Sequence, residues 1–61
     1  MSPQLVGILA AIFAAQARIE GMKAENSLRE CQGNSPAYGE DAFNHEAAFL
    51  QHLEIEARNA S

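Results

Sequence analysis

This chain has a single cysteine and only four lysine and arginine residues, and each shortage closes a route. With Cys31 alone, no disulfide can form within the chain. One thiol without a companion pattern fits a reducing, cytoplasmic setting. His45 and His52 have no cysteine partners at zinc spacing, so a structural metal is not expected. Arg18, Lys23, Arg29 and Arg58 are scattered among eight acids, for a net charge of −4. That balance argues against nucleic acid and against an anionic membrane as partners. No apolar run alternates with period two, and no hairpin dipeptide joins two such runs, which excludes strands. A phosphate loop, a glycine fingerprint and a Ser/His/Asp pattern are also missing, so neither an enzyme nor a cofactor is expected.

The second constraint is size. A chain of 61 residues is one domain at most. Below roughly 70–80 residues one hydrophobic core rarely supplies more than ~3–5 kcal/mol, and a staple is usually needed. With disulfides and metals set aside, the expected staple is another chain.

What is present is a greasy opening, LVGILAAIFAA, from Leu5 to Ala15. It has the length of a signal-peptide apolar region, and Ala15-Gln16-Ala17 imitates a cleavage site. The preceding MSPQ carries no Lys or Arg, however, which is the wrong front for a secretory signal. A membrane span takes about 20 mainly apolar residues, whereas Arg18 and Glu20 interrupt this run early. Gly7 and Ala11 match a small-x-x-x-small spacing that any alanine-rich helix provides. The run therefore reads as a segment of a buried helix.

Ser2-Pro3 is a helix start, with Ser as N-cap and Pro at the first helical position. Apolar residues recur at Leu5, Ile8, Ile12, Ala15, Ile19 and Met22, alternating three and four apart, the seam of a bundle helix. Asn26 takes the next seam position, either fixing register or marking a wetter end. A second set, Val6, Leu9, Ala10 and Phe13, lies beside the first, so the front half is apolar nearly all round. Glu25 and Arg29 support the helix as an i,i+4 pair. The stretch CQGNSPAYGED breaks the pattern: Gly33 and Asn34 suit a left-handed helix end, Ser35-Pro36 offers a further short turn, and Asp41 a second N-cap. The expected organisation is helix one over 3–31, a loop over 32–40 and helix two over 41–59.

The predicted fold is all-α, a helical hairpin whose first helix is longer, dimerising into a four-helix bundle. Its core is assigned to Met22, Phe43, Phe49, Leu50 and Leu53. Helix one is about 43 Å long and helix two about 28 Å at 1.5 Å per residue, so helix two, folded back, ends beside about Ile12 and leaves Leu5 to roughly Ala11 without a partner in the chain. The uncovered front then needs a second copy. Leu5, Ile8, Leu9, Ile12, Phe13 and Ile19 are accordingly the expected oligomer interface, a two-fold partner being the simplest cover.

Other side chains read as structural. His45 and His52 share a face, with Asp41–His45 and His52–Glu56 as i,i+4 pairs, but no Glu-x-x-His or H-E-x-x-H spacing accompanies them. Cys31 reads as a helix-end thiol and Tyr38 as a lid over the open end of the hairpin. The function expected is that of a small non-enzymatic interaction protein, a homo-oligomeric adaptor or inhibitor that docks a larger protein through a helix face. Chains of this size and plainness are common among phage and plasmid accessory proteins. Two alternatives carry weight. One is a nucleic-acid regulator built like the plasmid copy-number hairpin dimers, an analogy of architecture alone. The other is membrane association through residues 5–15.

Overall fold

In the computed structural model, which describes residues 1–60, the chain forms two helices packed against each other. They are α1, Pro3–Cys31, and α2, Glu40–Ala60. The hairpin is 47 Å long but only 17 Å by 9 Å across.

The ends of α1 are built by its sequence. The Leu5 N–H donates to Ser2 Oγ at 3.1 Å, and the Val6 N–H to the Ser2 carbonyl at 3.0 Å. Pro3 occupies a position where no backbone donor is needed. Alanine-rich backbone then carries α1 through Gly7 and Gly21 without a break. At the far end Gly33 adopts φ +77°. The Gly33 N–H bonds to the Glu30 carbonyl at 3.1 Å and the Asn34 N–H to the Arg29 carbonyl at 2.8 Å. This paired closure satisfies the last carbonyls, and a glycine reaches the required left-handed backbone without steric cost.

The loop differs from expectation in two respects. Ser35-Pro36 starts no helical turn. Asp41 is not the cap of α2: the Gly39 carbonyl accepts the first bonds, from the Ala42 and Phe43 N–H groups at 3.2 and 3.4 Å. Asp41 and Glu40 sit inside the first turn, where carboxylates favour the positive end of the helix dipole.

Two contacts set the antiparallel register. The Arg18 guanidinium grips Glu46. Eight residues further along α1, and eight back from Glu46, Asn26 grips the Tyr38 backbone: its Nδ2 donates to the Tyr38 carbonyl at 2.8 Å and its Oδ1 accepts from the Tyr38 N–H at 3.0 Å. The loop therefore folds back along the last turns of α1 instead of capping a flush pair of ends. Stepping fourteen residues the other way pairs Gln4 with Ala60, so α2 reaches the beginning of α1. The expected overhang at the front is thereby corrected. The eight-residue difference between helices of 29 and 21 residues is taken up at the loop end.

The core is a thin seam. Ile8, Ala15, Met22 and Leu53 are buried. Leu5, Leu9, Ile12, Ile19, Phe43, Leu50 and Ala57 are half-buried around them. Ala15 is completely covered, its small side chain letting the helices approach closely.

Candidate functional site

The most organised polar group joins the two helices. Arg18 Nε and Nη2 donate to the two carboxylate oxygens of Glu46 at 3.1 and 3.0 Å. This fork holds both partners in one plane. The same guanidinium lies 5.6 Å from the centre of the Phe49 ring, within cation–π range. Arg18 thus reaches from α1 across nearly a full turn of α2. The Glu46 side chain is only 13% exposed, and its two hydrogen bonds from Arg18 hold its carboxyl below the ordinary glutamate range. Burial opposes that shift, while the charges of Arg18 and His45 add to it. Arg18 is pushed up by the same hydrogen bonds, so both groups stay ionised across the neutral range. The arrangement is a clasp that ties α1 to α2.

The remaining ionic contacts run along single helices. Lys23 meets Glu20 at 3.1 Å, Arg29 meets Glu25 at 3.1 Å, and Arg58 meets Glu54. His52 Nε2 lies 3.0 Å from Glu56. Each Lys and Arg side chain is therefore matched to an acid. No group of three or more His, Cys, Asp or Glu side chains converges to hold a metal ion among the described residues. Cys31 is exposed at the end of α1.

The residues expected in the hairpin core divide. Met22 and Leu53 are buried, Phe43 and Leu50 half-buried, and Phe49 lies at the exposed edge beneath Arg18. The residues expected at an oligomer interface divide as well. Ile8 is buried within its own chain, because α2 extends far enough to cover it. Leu5, Leu9, Ile12 and Ile19 are half-buried against the hairpin, while Phe13 is 68% exposed.

No family model, curated protein or solved structure matches this chain.

Phe13 belongs to a set that sequence reasoning only began to collect. At 100° per residue, Val6, Ala10, Phe13, Ala17, Gly21, Ala24 and Leu28 all lie within about 40° of the direction opposite the buried Ile8. All six charged residues of α1 lie at least about 60° from that direction. Val6 and Leu28 are each 52% exposed. The side of α1 turned away from α2 is thus a charge-free apolar stripe along the whole helix. The signal was present in the sequence as a second run of three- and four-residue steps, masked at the front by residues that are apolar all round. The same exposure bears on the membrane question. By length and composition α1 is apolar enough to cross a bilayer, with an 18-residue window of mean hydropathy 1.5. Counting only Leu5–Ala15 understates that capacity. The outer side of α2, by contrast, is polar, and Ile55 is its most exposed large apolar residue.

Proposed function

We propose that this chain is a small non-enzymatic interaction module, a homo-oligomeric helical adaptor or inhibitor of the cytoplasm. It uses one helix face to associate with itself and leaves another to dock a larger protein. The observation that carries this reading is the division of labour between the helices: α1 turns a charge-free apolar stripe outward, and α2 turns a polar face outward. An apolar stripe of that length is unfavourable to leave in water, and burial against protein is the common remedy. A polar helix face with an exposed apolar anchor, Ile55, suits the helix-in-groove mode of recognition. The accessory proteins of phages and plasmids are the size class in which such a role is common.

A nucleic-acid regulator fits less well, because Arg18, Lys23 and Arg29 are each engaged by a carboxylate of the same chain. A phosphate backbone would have to displace those carboxylates. Affinity capture with the wild type and with Ile55→Asp, side by side, tests the docking reading. A specific protein retained by the wild type and lost by the variant supports it. Equal recovery by both, or a clean capture, overturns it.

A further inference from the structure

We infer that the outer stripe of α1 is a self-complementary interface for a second copy of this chain, packed antiparallel about a two-fold axis beside Ala17. The inference rests on the reading above that the chain associates with itself, and it specifies the face, the direction and the register.

Three observations lead to it. The first is area. The chain exposes 4459 Å², whereas a compact monomer of 6.6 kDa exposes about 3,900 Å². The excess of about 560 Å² is about 70% of the roughly 800 Å² that each partner buries in a standard interface. The second is symmetry. Phe13 and Gly21 stand four residues either side of Ala17, Ala10 and Ala24 seven, and Val6 and Leu28 eleven. An antiparallel two-fold at Ala17 therefore sets each large side chain against a stated counterpart: Phe13 against Gly21 of the second copy, and Val6 against Leu28. The third is Gly21 itself. A glycine in the middle of a helix is destabilising relative to alanine. Nothing in its own hairpin requires it, since a Cβ there would meet no atom within 4 Å; the same holds at Gly7, which lies off the stripe, so what distinguishes Gly21 is its place opposite Phe13 about the axis. Facing Phe13 of a second copy, the missing side chain becomes the space that the ring fills. A parallel pair would instead stack Phe13 on Phe13 and set Gly21 against Gly21, leaving a gap.

A lipid surface is the competing occupant of an apolar stripe. Interfacial helices that bind membranes carry Lys and Arg on their polar face. Here those bases are matched to acids and the chain is net negative. Self-packing is favoured.

Sedimentation equilibrium on the whole chain, without detergent, is the primary test. Wild type is expected to be a dimer. Phe13→Ala and Gly21→Leu are each expected to weaken it by about a hundredfold or more, because every lost contact occurs twice per dimer. Phe13→Ala/Gly21→Leu exchanges bump and hole and is expected to return affinity to within about tenfold of wild type. Circular dichroism of the separated monomers reports that folding survives, both positions being exposed. Cys31 supplies the direction. In the antiparallel dimer the two thiols lie about 42 Å apart, fourteen residues either side of the axis, so oxidation links no dimer. A wild-type monomer, with or without binding to phosphatidylcholine or phosphatidylglycerol vesicles, overturns both this inference and self-association. A dimer that Cys31 crosslinks readily, or that Gly21→Leu leaves unchanged, overturns the packing proposed here and leaves self-association standing.

Discussion

Asn26→Ala removes both hydrogen bonds that tie the loop to α1. A typical bond of this kind contributes about 0.5–1.5 kcal/mol net, so two are worth about 1–3 kcal/mol. The site is exposed enough for water to replace part of that, and alanine returns about 0.5 kcal/mol in helix propensity. A net loss of about 1.5 kcal/mol is expected. For a domain of this size each kcal/mol moves the midpoint by roughly 4–8 °C, so the melting temperature should fall by about 6–12 °C. Thermal circular dichroism at one fixed protein concentration reads it, because self-association would otherwise move the midpoint too. Asn26→Asp is the graded control. It retains the oxygen that accepts from the Tyr38 N–H and loses the amide that donates to the Tyr38 carbonyl. Hydrogen exchange separates the two: the Tyr38 amide should lose protection in the alanine variant and keep it in the aspartate variant. An alanine variant that melts like wild type, with the Tyr38 amide unchanged, would refute the role given to this clamp in holding α2 in register.

The same structure makes three further claims. Leu53→Ala opens the centre of the seam and should cost about 2–4 kcal/mol; in so thin a core that approaches the whole stability, so the far-ultraviolet helical signal of the isolated hairpin should collapse at 25 °C in reference to wild type. Glu46 has a depressed folded-state pKa, so its contribution to stability is complete above the ordinary glutamate value of about 4.3 and disappears as pH falls through the lower folded value. A pH titration of stability should show that acid limb in wild type and a flatter one in Glu46→Gln; parallel curves would remove the clasp from the account. Gly33→Ala forces an L side chain into φ +77° and should cost about 1 kcal/mol, seen as a midpoint lowered by roughly 4–8 °C, whereas an unchanged melt would mean that the helix end relaxes freely.

Much of this molecule was legible in local signals. Ser2-Pro3 and Gly33 mark the two ends of α1 because capping depends on residues within a few positions of each other. The step pattern from Leu5 to Met22 fixes which side of α1 meets α2, because helical geometry repeats every 3.6 residues. Glu25–Arg29 and Glu54–Arg58 pair as their i,i+4 spacing requires. The absence of strand patterning likewise leads to a structure whose described residues form only helices and their connections.

The position of α2 along α1 was not legible, since it depends on groups far apart in the chain. Arg18 and Glu46 are 28 residues apart, and Asn26 and Tyr38 are 12 apart. No periodicity announces that these pairs will meet. Once they do, the loop folds back on α1, Ile8 is covered from within, and the face left open moves from the tip of α1 to its outer side. Local capping and helical period were therefore enough to make two helices and to choose their inner faces. Only the tertiary contacts decided the register between them, because sliding one amphipathic helix along another preserves the apolar match while changing which surface remains in water.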